Sequence, residues 1–312
     1  MRIAFLLTLV PALLGATAGS ALSGERPRTY VQPVFEITIN GYNYSWDNIG
    51  RFVLPGDTLR LAVSGTSEHS GFVASGGELT EVAGVTCWVA PKDPGLYPII
   101  CSNGPTLKHI NVFVMIPYSE LDKKGYLRGV RMGRYPASSP FPNFTIPRGF
   151  IEVTPDNIET PISQRYTLRS FVPRESDAYP KYIALREELL VKLELLTDLV
   201  RAKGYDVSRL DVLSGFRSPW YNRRNRTGRN SAHVYGGAAD IYIDTDNDGH
   251  MDDINHDGTV NRRDAKLMAG YVDELEVSHP ELVGGCGWYS RTRWRGPFVH
   301  VDVRGTASRW HQ

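Results

Sequence analysis

Excess charge is almost absent from this 312-residue sequence: 35 Lys and Arg face 34 Asp and Glu, a formal charge of +1. That balance argues against a nucleic-acid or membrane-surface partner, either of which calls for a basic excess. A membrane-spanning run is missing too. The apolar stretch from Ile3 to Leu14 is broken by Pro11 and falls short of the roughly 20 residues that cross a bilayer core. With Arg2 before it and Ala16-Thr17-Ala18 after it, the stretch has the form of an export signal over residues 1–21. Gly19-Ser20-Ala21 offers a second cut, and no cysteine lies near either, which argues against a lipid anchor. The expected location is outside the cytoplasm, in the periplasm or the extracellular space.

Cysteine is scarce: Cys87, Cys101 and Cys286 are the full set. In an oxidising compartment Cys87 and Cys101 could close a loop of about 15 residues, worth roughly 3 kcal/mol on the loop-entropy model. The alternative is three buried free thiols. Cys286, in Gly284-Gly285-Cys286-Gly287, is left over either way.

What is present is ordinary globular material, 41% hydrophobic and 22% charged, so a folded chain is expected. Its length exceeds the roughly 250 residues at which single cores stop growing, which points to two domains. Residues 28–117 read as short strands with turns between them: Phe35–Ile39, Thr58–Val63, Ile99–Cys101 and Ile110–Val114. Their spacing predicts a small all-β sandwich, immunoglobulin-like or cupredoxin-like. A copper site would need His and Cys ligands with a weak axial group. His69, His109 and Cys101 are present, but no Met follows Cys101 and no His sits close beside it, so copper is set aside. Residues 118–160 are rich in Pro, Gly and aromatics, too apolar for a free linker, and are expected to pack on the C-terminal domain.

Residues 161–312 predict an α+β domain. Leu185, Leu189, Leu193, Leu196 and Val200 form one face of a helix that begins near Pro180 and stops at Gly204. Leu210–Ser214, Ala239–Ile243 and Phe298–Val303 are the expected strands. In the segment Ser231 to Asp240, a Gly-Gly turn separates His233 from Asp240, and Asp240 and Tyr242 face away from Ala239, Ile241 and Ile243. In Pro297 to Gly305, alternation puts Val299, Val301 and Val303 on one face and His300, Asp302 and Arg304 on the other. Two His and one carboxylate with an open fourth position form a catalytic zinc set, whereas structural zinc normally takes four protein ligands.

The pattern Ser231-x-His233-x-x-Gly236-x-Ala238-x-Asp240, followed by His300 in a Val-His-Val strand, resembles the zinc D-Ala-D-Ala carboxypeptidase and murein endopeptidase family. The resemblance covers residues 160–312. It implies the fold shared with hedgehog signalling domains, with His233, Asp240 and His300 as zinc ligands. Arg217, in Ser214-Gly215-Phe216-Arg217-Ser218, matches the family arginine that holds a substrate carboxylate or carbonyl. Gly284-Gly285-x-Gly287-Trp288-Tyr289, the Pro297-to-Gly305 strand and Trp310 resemble the murein endopeptidase branch. Family members often carry a Glu or His base just upstream of the last ligand, where this sequence has Pro297 and Phe298. Asp302 therefore stands as candidate base, or as the group that orients His300. Arg223, Arg224, Arg226 and Arg229 make the loop after Arg217 basic, suited to anionic wall peptides or simply solvated.

Asp253, Asn255, Asp257, Thr259, Asn261 and Asp264, with Gly258 at the sixth position, fit a twelve-residue calcium loop. Asp244-x-Asp246-x-Asp248-Gly249 is half of another, giving an inserted calcium-type loop over 244–264. Ala265, Met268, Val272 and Leu275 continue as an amphipathic helix. The expected molecule is a hydrolase needing Zn2+ and a structural Ca2+, acting on peptidoglycan peptides, without nucleic-acid partner or membrane span. A wall-binding protein that keeps the metal site without catalysis is the alternative.

Overall fold

The computed structural model describes residues 35–65, 70–173, 177–225, 231–292 and 295–312. The export signal, residues 28–34, His69, Arg226 and Arg229 lie outside the described residues. Among the described residues, no helix is long and apolar enough to cross a membrane.

Alternating apolar residues build the N-terminal layers. The strands are β1 (Glu36–Ile39), β2 (Tyr42–Tyr44), β3 (Asn48–Val53), β4 (Thr58–Ser64), β5 (Ser70–Ala74), β6 (Glu78–Val82), β7 (Val85–Val89), β8 (Gly95–Asn103) and β9 (Thr106–Val114). They form two sheets, ordered β2-β1-β4-β7-β6 and β3-β9-β8-β5. In β4, Leu59 and Leu61 turn inward while Thr58 and Arg60 face water, the period-2 pattern of a half-buried strand. Ile37, Ile39, Leu59, Trp88, Ile99 and Ile110 fill the core between the sheets. The all-β sandwich expected from the sequence is the arrangement found.

Of the two cysteine arrangements left open by the sequence, three buried free thiols is the one found. Cys87 neighbours the inward Trp88 on β7 and pairs with outward Arg60, so its side chain points away from the core. Cys101, on the other sheet, lies inside the core, where burial raises its thiol pKa to about 11. Thiols on opposite sides of one sheet cannot meet within the few ångströms a disulfide requires.

A second core, separate from the first, spans residues 113–303. Its elements are β10 (Ile116–Pro117), β11 (Tyr126–Leu127), β12 (Val130–Arg131), β13 (Gly149–Val153), β14 (Lys181–Ile183), α1 (Glu187–Ala202), β15 (Asp211–Ser214), α2 (Pro219–Arg224), β16 (Ala238–Tyr242), α3 (Arg262–Ser278), β17 (Gly285–Tyr289), β18 (Phe298–Asp302) and β19 (Ser308–His311). The main sheet runs β15-β16-β18-β17-β19. Helix α3 packs on β17 and β18, and α1 packs on α3. Ala239, Ile241, Cys286, Val299 and Val301 face that layer and are fully buried. The molecule is mixed α and β, and mostly sheet.

The leucine stripe of α1 is buried as expected, but the helix begins at Glu187 rather than near Pro180. Residues 181–183 pair with β13 through Ile151↔Ile183 and Val153↔Lys181; a strand partner distant in sequence outweighs the local helix signal. The 118–160 segment packs as expected: the Tyr135 hydroxyl donates to the Val234 carbonyl at 2.9 Å, and Phe144 lies against Tyr235. Polar contacts tie the sandwich to this second core. Arg51 pairs with Glu187 at 2.5 Å, Arg148 with Asp57 at 2.9 Å, and the Gly50 amide donates to the Ile162 carbonyl at 2.8 Å.

Candidate metal centre

Register brings the site together. Ser214 pairs with Asp240, Asp240 with His300, His300 with Gly287, and Gly287 with Trp310. One row across five strands therefore carries these residues on the sheet face opposite α1 and α3. His233 joins them from a one-turn helix, Ala232–Tyr235, closed by Gly236 at φ +71°. That conformation suits glycine, and a side chain there would also strike the Ala184 carbonyl.

Three ligand atoms converge. His233 Nε2 lies 3.2 Å from Asp240 Oδ1 and 3.1 Å from His300 Nδ1, and His300 Nδ1 lies 3.1 Å from Asp240 Oδ1. The far nitrogens are committed elsewhere. His233 Nδ1–H donates to the Gly215 carbonyl at 2.6 Å, and His300 Nε2–H donates to Asp302 at 3.1 Å. A carbonyl and an ionised carboxylate only accept, so both inward nitrogens keep their lone pairs. Two lone pairs and a carboxylate oxygen facing one another can hold a cation between them. Tetrahedral bonds of about 2.0–2.1 Å would set such ligands about 3.3 Å apart, close to the separations found. The buried group His233-Asp240-His300 could hold a metal ion.

The electrostatics follow from burial and these contacts. Burial lowers the pKa of His233, and Arg217 and His300 add to that against the pull of Asp240; the neutral, ligating form is favoured. Burial alone would lower His300 as well, but its bonds to Asp240 and Asp302 leave it raised. Asp240 sits well below the usual carboxylate range: burial opposes this, and His233, His300 and Arg217 outweigh it.

Arg217 donates from Nε to Ser214 Oγ at 2.9 Å and pairs through Nη2 with Asp240 Oδ2. It thereby fixes the carboxylate oxygen that does not face the histidines. Asp302 is fully buried. Besides His300, it accepts from the Gly285 amide at 2.8 Å and from Arg304 Nε at 2.9 Å. Its position, on the far nitrogen of His300 with both oxygens engaged, is that of a residue that orients a ligand. Behind it, the fully buried Lys192 donates to the Asp302 carbonyl at 2.8 Å and to Glu276 at 2.6 Å.

An aromatic wall borders the row. Trp310 lies over Gly287, where a side chain would overlap its indole, and its ring centroid is 5.2 Å from that of His300. Its Nε1–H donates to the Tyr289 hydroxyl at 2.8 Å, and Tyr289 stacks on Phe298 at 4.5 Å. Phe298, where the family pattern would offer a base, is thus part of this stack. Sequence reasoning misses the Gly215 carbonyl, because a backbone acceptor leaves no residue-type signal. It leaves Arg304 without a role, although the alternation of His300, Asp302 and Arg304 already puts all three on one face.

The acidic loop is built differently. Asp253 accepts from the Asp257 and Gly258 amides, Asn255 from Asp257, and Asp257 from Thr259. Asn261 caps α3, with Asp264 returning to the Asn261 amide. Thr259 offers its carbonyl to the Asn261 side chain. Among the described residues, the other carboxylate group with ligand atoms within 4.8 Å of one another is Asp244, Asp246 and Asp252. Arg223 and Arg224 are exposed, one bonded to the Arg134 carbonyl and the other over Trp220.

No family model matches the chain, and no curated protein matches it. Among solved structures, the adhesin InvE of Yersinia pseudotuberculosis is similar over 27% of each chain, at 15% identity and a TM-score of 0.18. A likeness that low carries no argument about fold or function.

Proposed function

We propose that this protein is an exported zinc peptidase that hydrolyses peptide bonds in peptidoglycan stem peptides or their crosslinks, through a C-terminal domain of the hedgehog/DD-peptidase type. One observation carries the reading: three ligand atoms converge while both histidines have their outer nitrogens tied down, as a catalytic set of two histidines and one carboxylate requires. The sequence resemblance supplies the substrate class, and the export signal supplies access to it.

Zinc, when held by His233, Asp240 and His300, supplies Lewis acidity toward a scissile carbonyl and toward water. The chain's own residues do the rest. Asp240 brings one negative charge to balance the cation, and Arg217 keeps its second oxygen from swinging in. The remaining guanidinium donors of Arg217 suit a substrate carboxylate or carbonyl oxygen, for which a planar fork is well shaped. Asp302 holds the His300 ring in its ligating tautomer, with Arg304 and the Gly285 amide balancing its charge. The Trp310–Tyr289–Phe298 wall limits water on one side, which strengthens the electrostatics within the site. A structural calcium ion in the 244–264 loop belongs to the same reading, supported by the convergence of Asp244, Asp246 and Asp252.

The alternative, a wall-binding protein without catalysis, is favoured by one feature: the carboxylate offered as base, Asp302, is committed to His300 and Arg304. The two readings separate when zinc-loaded protein is incubated with purified peptidoglycan sacculi and soluble products are weighed by mass spectrometry. Peptide fragments absent with His300→Ala are the expected result, and their masses identify the bond cut. Intact sacculi in the presence of folded, zinc-loaded protein would turn the assignment to the binding protein.

A further inference from the structure

The aromatic wall beside the metal centre holds one polar group that the chemistry above leaves unused. Tyr289 lies two residues beyond Gly287 on β17 and pairs with Phe298, which lies two residues before His300 on β18. The strand period of two puts both side chains on the sheet face that carries His300. The Tyr289 ring stacks on Phe298 with the planes 6° apart, which restricts its swing.

The hydroxyl is half spent. Its oxygen accepts from Trp310 Nε1 at 2.8 Å, and that nitrogen stands in the space above Gly287, the strand partner of His300. Among the described residues, no acceptor takes the hydroxyl's own hydrogen. Tyr289 is half-buried, so a ligand on the sheet face can reach it. Accepting one bond polarises a hydroxyl and makes it a better donor. Burial raises its pKa against the bond from Trp310, and Asp240, Arg217 and Arg304 are all close enough to act on it.

The row across the sheet sets the order of these groups. Arg217, bonded to Ser214, stands at one end, Tyr289 and Trp310 at the other, with Asp240 and His300 between. A ligand seated over the two middle residues meets a donor on each side. The neighbours of Tyr289 cannot take its place. Asp302 already accepts from His300, Gly285 and Arg304, and Phe298 has no polar hydrogen to give.

We propose that Tyr289 is a catalytic residue whose hydroxyl donates to the oxyanion that develops on the scissile carbonyl. The assignment rests on the peptidase reading and supplies a polar group where the wall otherwise offers none. The proton stays on Tyr289 throughout. Its bond to the carbonyl oxygen tightens as water adds and charge builds, then relaxes as the C–N bond breaks and the carbonyl reforms. Such a donor acts on the transition state more than on the bound substrate. Arg217 is thereby left to anchor a substrate carboxylate.

The test compares zinc-loaded full-length wild type with Tyr289→Phe, which keeps the ring stack and removes only the hydroxyl. The probe is a phosphinate isostere of D-alanyl-D-alanine, a tetrahedral anion that cannot be hydrolysed, and calorimetry reads its affinity. A loss of at least about tenfold is expected for a hydrogen bond to a charged oxygen, with zinc affinity unchanged in chelator competition. The kcat for peptide release should fall about 100-fold with KM little changed. Unaltered affinity for the phosphinate, or a parallel loss of zinc, would overturn the proposal. Peptide release from sacculi keeps the two assignments apart. Release by the wild type that Tyr289→Phe matches defeats the tyrosine's role and leaves the peptidase standing. Phosphinate binding that depends on Tyr289, without any release, supports the donor and counts against the peptidase. A wild type that neither binds nor releases overturns both.

Discussion

Two stretches of this chain carry metal-binding signatures, and they are built in opposite ways. The His233-Asp240-His300 group is buried on a sheet, with partners drawn from four separate segments. The 253–264 loop is a local structure whose carboxylates already accept from amides a few residues away. In the first, side chains are held apart from their neighbours by register and aimed at a common point that could hold a cation. In the second, short acidic side chains satisfy themselves through turns, as Asp and Asn do in any tight loop. A ligand pattern in sequence therefore means more when satisfying its residues requires distant chain. For a loop, the same pattern describes good turn chemistry as readily as a metal site.

The contrast can be tested from its strongest side down. His300→Ala removes one of three ligands and should lower zinc affinity more than about 100-fold, beyond the 10–100-fold typical of losing an outer partner. Competition with a chromophoric chelator measures it. Asp302→Asn keeps the shape but removes the charge on His300 Nε2, and a loss of roughly 10–100-fold is expected in the same assay. An unchanged affinity would mean that the outer contact does not tune the site.

A half-buried polar spot, at the seam with the sandwich, gives a smaller effect. Burial pushes the Glu187 carboxyl up to about 6 from 4.5, against the pull of Arg51. The folded state therefore holds this proton more tightly than the unfolded chain does. The stability from this group is full below pH 4.5 and is lost as pH rises from 4.5 to 6, by about 2 kcal/mol. Glu187→Gln should flatten that part of the curve in urea melts at stepped pH. Smallest of all, calcium at ten times its dissociation constant should stabilise chelator-stripped protein by about 1.4 kcal/mol, and Asp244→Asn should abolish that gain. A melting temperature indifferent to calcium would leave 244–264 as a plain acidic loop.

Much of this architecture is legible in the sequence. Strict alternation of valines with His300, Asp302 and Arg304 locates β18 and the sides of its residues, and the Gly-Gly turn before Asp240 locates β16. The stripes of α1 and α3 are equally clear. The site row is not, because Ser214, Gly287 and Trp310 join it through pairings between strands far apart in sequence. Strand β17, Gly-Cys-Gly-Trp-Tyr, lacks branched residues since Gly287 must stay bare beneath Trp310. Lys181–Ile183 reads locally as helix because its partner, β13, leaves no mark nearby. The choice between a Cys87–Cys101 loop and free thiols is hidden for a similar reason: sequence spacing sets the loop length but not which side of the sheet each thiol occupies.

Everything in the proposed chemistry depends on the metal, and zinc-edge X-ray absorption on protein carrying one equivalent of zinc tests it most directly. The predicted spectrum shows nitrogen and oxygen neighbours at about 2.0–2.1 Å, with the outer-shell scattering of two imidazoles, one of which disappears in His300→Ala. Zinc lost on dialysis, or a first shell without two imidazoles, would contradict it.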